Sequence, residues 1–224
     1  MNELPAGHDA VLLDFATEPH PSEAVTRAAQ ALRVAVSTGR LGRVDEIIPS
    51  ATTILVQFHS DAGADVLGIH RALRSAGDLQ ADNESAATET VIPVHYDGAD
   101  LAAVAELLGV DTAQVVTLHH QSRWRVQFMG FAPGFGYLVP HDDHENPLTR
   151  IGRRSEPRTR VPAGAVAIAA GYSAVYPRAS PGGWHLLGHT DIRLWDAQSS
   201  TPSLLRPGAV VRFVDLADPE SRQR

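Results

Sequence analysis

Two residue types are missing from this sequence, cysteine and lysine. The chain has 224 residues, contains no Cys, and all 19 of its basic residues are Arg. Without cysteine there is no disulfide framework, no thiol nucleophile and no Cys-ligated zinc site. Without lysine there is no Walker-A lysine, Schiff-base lysine or kinase-type phosphate lysine. Any nucleotide phosphate must therefore contact Arg, backbone N–H groups or a partner.

Positive charge is scarce, and long apolar runs are absent. Asp and Glu together number 26, which gives a formal net charge of −7 without long runs of one sign. The basic surface that a nucleic-acid or anionic-membrane binder needs is missing, so we expect neither partner. No apolar run is long enough to span a bilayer, and the N-terminus shows no secretory signal pattern. We expect a cytoplasmic protein.

Aromatic residues are rare in the first half of the chain. Phe15, Phe58 and Tyr96 are the only three before residue 124, and the other ten lie from Trp124 onwards. A chain of this length can bury one large core or two modest ones. The uneven distribution favours two units.

The pattern of residues 1–95 is typical of an α/β domain. Residues 10–15 indicate a buried strand, and residues 22–38 place apolar side chains on one helical face. The runs VDEIIPS and ATTILVQFHS indicate two strands, and a second helix is expected from about Ala62 to Ser75. The run VIPV (residues 91–94) can supply a closing strand. This order predicts a ferredoxin-like βαββαβ sandwich.

The remainder of the chain changes from helical to strand-like patterns. Residues 96–122 predict a bridge of two short helices, each opening with an Asp that can cap the first turn. In residues 123–224 the runs WRVQFMGF, AVAIAAGYSAVY, WHLLGHT, DIRLWD and VVRFVDL alternate with Gly/Pro turns. The predicted fold class is therefore an α+β N-terminal domain followed by an all-β barrel, closed or nearly closed and antiparallel.

Half of the 18 glycines fall between Phe128 and Thr190, interleaved with aromatic and β-branched residues. Disordered segments lack such residues, so this stretch predicts β-structure with demanding turns. Within it, residues 131–137 (FAPGFGY) suit a tight turn that projects two or three rings from a barrel rim. These rings form either one wall of a ligand cleft or ordinary packing of the loop on its own barrel.

Four arginines lie between residues 153 and 160. Because guanidinium groups bind carboxylates and phosphates through two parallel hydrogen bonds, Arg158 and Arg160 are candidates to bind an anionic substrate. Solvated loop charges are the alternative for both. Arg153 and Arg154 are expected to be such loop charges, paired with the acidic residues of the segment 142–145.

The segment SPGGWHLLGHT (180–190) combines a turn, two histidines and hydroxyl groups. A Ser–His pair is conceivable there, and His185, His189 and Thr190 are candidate catalytic residues. However, the sequence has no G-x-S-x-G elbow and no Asp placed obviously to orient an imidazole. A hydrolase triad is therefore not expected.

The segment HDDHE (141–145) resembles a metal-ligand cluster by composition alone. It lies between Pro140 and Pro147, where neither helical nor strand spacing would bring the side chains together. We therefore predict no metal site. His119 lies near the end of a predicted helix, where a capping or core role is expected.

Several of these blocks together resemble a known family. GFAPGFGYL, PRTRVPAGAVAIA, VYP and SPGGWHLLGHT are similar to the motifs of the allophanate hydrolase subunit 1 family, which includes the B subunit of 5-oxoprolinase and the kinase inhibitor KipI. The central segment IPVHYDGADLAAVAELLG also matches. The resemblance implies an N-terminal α/β domain, here residues 1–95, and a cyclophilin-like barrel, here residues 123–224, without prolyl isomerase activity.

The resemblance also implies a cleft. Ala165, Ala174 and His189 depart from the family pattern, which has Ser, Gly and Arg there, so a catalytic role of that Ser or Arg would be lost. The matching positions that we expect to form the cleft are Phe131, Pro133, Gly134, Phe135, Tyr137, Pro162, Gly164, Tyr176, Gly182, Gly183 and Trp184.

By this resemblance the chain is the small subunit of an ATP-dependent amide-cleaving complex, most closely of the 5-oxoprolinase type, which converts 5-oxoproline to glutamate, or one related to allophanate or urea amidolyases. We expect ATP to be shared with a homologous second subunit (of the type of allophanate hydrolase subunit 2 or the C subunit of 5-oxoprolinase), and a third, lactam-opening subunit to join. We expect no biotin attachment and no metal on this chain. The alternative is a KipI-like regulator that inhibits a sensor histidine kinase.

Overall fold

The chain forms two compact units, Met1–Ala86 and Ala87–Arg224. A computed structural model describes residues 1–61, 63–75, 89–141 and 146–218. Each unit has a hydrophobic core of its own, built around Leu13, Leu32 and Ile54 in the first unit and around Trp124, Ile168 and Phe213 in the second.

The first unit is a four-stranded antiparallel sheet with two helices. The strands run in the order β1-β2-β4-β3. Apolar side chains that alternate along β2 and β4 face α1, whose alanines allow the helix to lie close to the sheet. The elements are β1 (Asn2–Pro5), β2 (Ala10–Asp14), α1 (Pro21–Ser37), β3 (Val44–Pro49), β4 (Thr53–Phe58) and α2 (Val66–Ser75).

The expected βαββαβ sandwich is not confirmed. The run VIPV does not close this sheet, because it forms β5 (Thr90–Val94), which pairs in parallel with a strand of the second unit. Ile92 and Val94 are fully buried there beside Trp124 and Phe213. The fourth strand of the first unit is instead β1, at the N-terminus.

The second unit contains most of the strands. After β5 come α3 (Leu101–Leu108), α4 (Thr112–His120), β6 (Arg123–Met129), β7 (Gly136–Pro140), a 3-10 helix (Pro147–Arg150), β8 (Arg158–Val161), β9 (Ala165–Ala169), β10 (Tyr172–Val175), β11 (Ser180–Gly182), β12 (His185–His189) and β13 (Val210–Asp215). A seven-stranded sheet has the order β12-β9-β10-β7-β6-β13-β5, and β11 and β8 form a separate pair. Segment 191–196 (DIRLWD), expected as a strand, contains only a single bridge from Trp195 to Ser203.

The seven-stranded sheet nearly closes on itself. His95, directly after β5, and His189, at the end of β12, exchange two backbone hydrogen bonds of 2.8 and 2.9 Å. These bonds join the two edge strands of the sheet. The result is a nearly closed barrel of the expected cyclophilin-like kind, but its sheet is mixed because β13 and β5 run parallel.

The two predicted helices of the bridge are formed, and both pack on the barrel core. Val104 and Val115 are fully buried in the cluster that fills the barrel. Asp111 caps α4 as expected, accepting a hydrogen bond from the Gln114 N–H at 2.7 Å. Asp100 precedes α3 but makes no such bond, because its carboxylate is engaged elsewhere. Across the described residues, no single helix could span a membrane by length and apolarity, although α3 and α4, bent by 93°, pass that test as a pair.

Candidate functional site

A cleft of about 270 Å³ opens on the outer surface of the barrel. Along β9, Val166 and Ile168 face the barrel interior, whereas Ala165, Ala167 and Ala169 face outward. Because alanines occupy little volume, this outer face leaves room for large rings packed against it. The cleft is lined by Phe131, Phe135, Tyr137, Arg153, Pro157, Tyr176, Pro181, Gly182, Gly183 and Trp184.

Phe135 is the buried centre of the aromatic wall. Four rings surround it edge to face, with centroid distances of 5.0 to 5.7 Å. Such T-shaped pairs contribute about 0.5–1.5 kcal/mol each beyond their burial, so the wall is held in shape without a ligand. The rings that contact Phe135 are Phe131, Tyr137, Tyr176 and Trp184.

Phe131 is unusual among these rings, because its backbone is left-handed (φ 64°) and the residue is 58% exposed. A bulky residue in that conformation carries strain, and strain of this kind is concentrated at ligand-binding sites. Gly134 also has positive φ, and a side chain there would collide with Trp195 and the Leu194 carbonyl. The sharp turn that presents Phe131 therefore depends on glycine at 134.

The tyrosines supply neutral hydroxyl groups to the cleft. Burial, assisted by the neighbouring Tyr137, raises the pKa of Tyr176 to about 12, although Arg153 and Arg158 oppose the rise. Burial also raises the pKa of Tyr137, again against the charge of Arg153. Both phenols stay protonated at neutral pH and can donate hydrogen bonds. Gly182 is required beside them, since any side chain would overlap the Tyr176 hydroxyl.

Asp100 holds two of the four neighbouring arginines. Its Oδ1 accepts hydrogen bonds from Arg154 Nη1 at 2.6 Å and Arg158 Nη2 at 2.8 Å, and its Oδ2 accepts one from the Leu186 N–H at 2.7 Å. Burial raises the pKa of Asp100, but these bonds and the two positive charges outweigh burial and bring it below its usual value. Arg154 is thus ion-paired with Asp100, and the acidic residues 142–145 expected as its partners lie outside the described residues.

The cation that lines the cleft is Arg153, not Arg158 or Arg160. Among the described residues, Arg153 has neither an ion-pair partner nor a side-chain hydrogen bond. Arg160 is exposed on β8 and does not line the cleft. The pattern of residue types could not separate these arginines, because the discriminating feature is Asp100, more than fifty positions away in the sequence.

The candidate residues His185, His189 and Thr190 do not line the cleft. His185 is buried, and burial lowers its pKa, although the Asp100 carboxylate opposes this effect. His189 Nδ1 lies 2.8 Å from Asp97 Oδ1, and its ring stacks on His95. Thr190 Oγ1 accepts a hydrogen bond from the Ile192 N–H at 3.3 Å, which is a turn role.

No Ser–His pair forms in segment 180–190, because Ser180 Oγ and His185 Nδ1 are both buried without a hydrogen-bond partner among the described residues. Across the residues that the structure describes, no group of three His, Asp or Glu side chains could hold a metal. The segment HDDHE lies outside the described residues from 142 to 145.

His119 is a core residue. Its ring nitrogens lie 2.7 Å from the Tyr96 hydroxyl and 2.8 Å from Ser173 Oγ. Burial lowers the pKa of His119 to about 3, so the ring is neutral. The imidazole therefore organises the packing of α4 on the barrel and has no access to a ligand.

Seven of the eleven expected cleft residues line the cleft, together with Arg153, Pro157 and Pro181. Pro162 and Gly164 instead form the turn before β9, where a side chain at 164 would overlap the Thr190 carbonyl. A second, more open depression of about 540 Å³ contains the remaining two expected residues. It is lined by Met129, Gly130, Phe131, Ala132, Pro133, Gly134, Trp195, Ser203, Leu205, Arg206 and Pro207.

Comparisons with known proteins agree with the motifs. The chain is 39% identical over 214 residues to the 5-oxoprolinase B subunit of Escherichia coli O157:H7, an alignment that covers 93% of each chain. The solved structure of TTHA0988 superimposes with a TM-score of 0.75 at 33% identity, covering 94% of this chain and 40% of that longer one. Kluyveromyces lactis urea carboxylase shares the fold, with a TM-score of 0.72 at 17% identity, over 99% of this chain and 22% of its own.

A family model for the carboxyltransferase domain, subdomain C and D, matches residues 1–205. That range covers the first unit and most of the second, and it includes every residue that lines the cleft. The family resemblance read from the sequence motifs is confirmed, and the chain belongs to the carboxyltransferase subdomain C and D family that contains the 5-oxoprolinase B subunits.

Proposed function

We propose that this chain is the small subunit of an ATP-dependent amide-cleaving complex of the 5-oxoprolinase type, which opens 5-oxoproline to glutamate. The relatives named as B subunits of 5-oxoprolinase support this assignment. The observation that carries it is the cleft, in which aromatic rings and two glycines enclose a small volume beside the Arg153 guanidinium, which has no ion-pair partner among the described residues. Sites of this composition take flat, partly polar molecules.

The cleft offers two kinds of help to the chemistry of an amide. A lactam is a poor electrophile until its oxygen is phosphorylated or its nitrogen is carboxylated, and the rings of Phe135 and Trp184 exclude the water that would destroy such an intermediate. The neutral hydroxyls of Tyr137 and Tyr176 can donate hydrogen bonds to an amide oxygen as negative charge develops on it.

ATP does not fit the donor set of this chain. The sequence has no lysine and no G-x-x-x-x-G-K loop, and the cleft has one guanidinium. We therefore assign the triphosphate to a homologous second subunit, of the type of the 5-oxoprolinase C subunit, which also completes the cleft. A third subunit would open the lactam.

Reconstitution tests the assignment. The purified chain alone is expected to show no ATP-dependent cleavage of 5-oxoproline, and adding the subunits that co-purify with it from the native cell should restore cleavage. In the reconstituted complex Trp184→Ala should reduce turnover, whereas substitution of Leu107, an exposed leucine on α3, should not. Full turnover by the isolated chain would contradict a shared site.

A second function, a KipI-like kinase regulator, is favoured by one separate feature. The open depression presents the exposed Phe131 and Trp195 beside Pro133 and Pro207, a surface suited to peptide capture. The purified chain and the reconstituted complex can both be used to decide between the two functions. Inhibition of the autophosphorylation of a neighbouring histidine kinase, lost in Trp195→Ala, together with no amide cleavage by any complex, would favour the regulator.

A further inference from the structure

The four arginines 153, 154, 158 and 160 have three different environments. Two are ion-paired with the buried Asp100, and Arg160 is exposed on β8. Arg153 alone both lines the cleft and lacks an ion-pair partner among the described residues. It is close enough to the phenols of Tyr137 and Tyr176 for its charge to oppose the rise in their pKa values.

A cation in such a place favours an anionic ligand. Arg153 is exposed beside cleft walls of aromatic rings and prolines, so an anion that enters the cleft can reach its guanidinium. A guanidinium donates two parallel hydrogen bonds to a carboxylate, which fixes the orientation of the ligand as well as its charge. The rings and hydroxyl groups opposite remain available for the rest of the molecule.

We propose that Arg153 determines substrate specificity by binding the carboxylate of a small cyclic amide acid. This inference rests on the function proposed above. The flat ring of the ligand packs against the aromatic wall, and its amide oxygen faces the Tyr137 and Tyr176 hydroxyls. Arg158, whose Nη2 is bonded to Asp100, instead stabilises the rim of the cleft.

The test compares two lactams that differ only in the carboxylate. In the active reconstituted complex, Arg153→Gln should raise the KM for 5-oxoproline about 10- to 100-fold, because a charged hydrogen-bonded pair is lost. The inhibition constant of 2-pyrrolidinone, which lacks the carboxylate, should change less than twofold. Arg153→Lys should recover part of the affinity. Arg178→Gln, an exposed arginine outside the cleft, is the matched control.

The possible failures are distinguishable. An active complex in which Arg153→Gln leaves the KM for 5-oxoproline unchanged would overturn the role of Arg153 but not the proposed function. Equal weakening of the binding of 5-oxoproline and 2-pyrrolidinone would also overturn it. The lost affinity would then come from a changed shape of the cleft and not from a lost contact with the carboxylate. A complex that cleaves no 5-oxoproline at all would overturn both proposals.

An independent observation concerns the sheet of the first unit. Four aliphatic side chains lie in register across all four strands: Leu4 pairs with Leu12, Leu12 with Leu55, and Leu55 with Ile48. Paired residues share a face, and this face is opposite to the one on which α1 and α2 pack. Leu4 is 48% exposed and Ile48 42% exposed. We call these four residues the aliphatic row.

Polar residues flank the aliphatic row on both sides. The charged strand residues on this face are Asp14 in β2 and Glu46 in β3, and no strand residue on the face is basic. Two copies meeting through this face would bring carboxylates towards carboxylates, which disfavours self-association. An apolar stripe with an acidic rim fits a protein surface that has apolar side chains flanked by Arg or Lys.

We infer that the aliphatic row is the docking surface for another subunit of the complex. Leu55→Glu, at the centre of the row, should abolish co-purification of that subunit. Leu67→Glu, at a leucine 70% exposed on α2, should leave it unchanged. Matching thermal unfolding curves would exclude misfolding as the cause.

Retention of the partner by Leu55→Glu would overturn this assignment while leaving the cleft unaffected. A dimer of the unaltered chain that Leu55→Glu converts to monomer would also overturn it, because the occupant would then be a second copy. If the unaltered chain recovers no other subunit, both the docking surface and the complex are wrong.

Discussion

At the scale of residues, one buried carboxylate determines which arginine is free to bind a ligand. Asp100 is 3% exposed and accepts hydrogen bonds from Arg154, Arg158 and the Leu186 N–H, so two segments that also carry lining residues of the cleft share one anion. Removing such an anion leaves cations without compensation, which costs more than the pair itself contributes. Arg153 is not part of this network, so its positive charge is available to a ligand in the cleft.

Asp100→Asn tests this network through stability. We expect the free energy of unfolding at pH 7 to fall by about 2 kcal/mol, below the roughly 3–5 kcal/mol typical of fully buried pairs, because both guanidinium groups are partly exposed. Urea unfolding measures the change. Asp97→Asn, at an exposed carboxylate that contacts His189, is the control and should cost far less.

The stability that Asp100 contributes, and that Asp100→Asn removes, depends on pH. The pKa of Asp100 is lower in the folded chain than in the unfolded one, so its contribution is fully present above the unfolded value of about 4 and is lost as pH falls through the folded value. The stability difference between the unaltered chain and Asp100→Asn should therefore shrink below about pH 4. A difference that stays constant from pH 7 to pH 3 would contradict this account.

At the scale of elements, local sequence patterns predicted most strands, but they did not predict which strands pair with each other over long distances in the sequence. The runs WRVQFMGF, AVAIAAGYSAVY, WHLLGHT and VVRFVDL contain β6, β9 with β10, β12 and β13, because alternation along a strand is a local property. The run VIPV was also recognised as a strand, but its partner β13 lies more than one hundred residues further on. A strand pattern does not encode its partner, so the run was placed in the wrong sheet.

The barrel seam shows the same limit. His95 and His189 look like two unrelated imidazoles in the sequence, yet their backbones close the barrel. Gly98 and Gly188 stand on either side of this seam, where added side chains would overlap the Leu186 and His95 carbonyls, respectively. Close approach of two backbones explains these glycines, and the sequence alone showed only that glycine was frequent.

At the scale of the whole molecule, the shape of the cleft was more predictable than its polar groups. Rings, prolines and glycines between Phe131 and Trp184 identified the place, because turn chemistry and aromatic density are visible along the chain. The polar roles depended on Asp100, which the helix pattern presented as a simple cap. A sequence does not show which distant segments meet, so the pairing of Arg158 with Asp100 was not visible in it.

The division of the chain leads to a final prediction about autonomous folding. A fragment of residues 89–224 should fold cooperatively, because it retains β5 and Glu89, whose carboxylate binds both Arg123 and Arg212. A fragment of residues 96–224 begins at the domain boundary that the sequence pattern indicated. It loses the burial of Ile92 and Val94, worth about 3–6 kcal/mol at roughly 1.5–3 kcal/mol for each side chain.

That loss is a large part of the roughly 5–15 kcal/mol that stabilises a typical domain, so the shorter fragment should not show a cooperative transition. Near-UV circular dichroism during thermal unfolding distinguishes the two fragments. Within residues 89–224, Ile92→Ala should lower the melting temperature, whereas Val91→Ala, at the exposed neighbour in β5, should leave it nearly unchanged. Equally cooperative melting of both fragments would show that β5 is dispensable for the barrel.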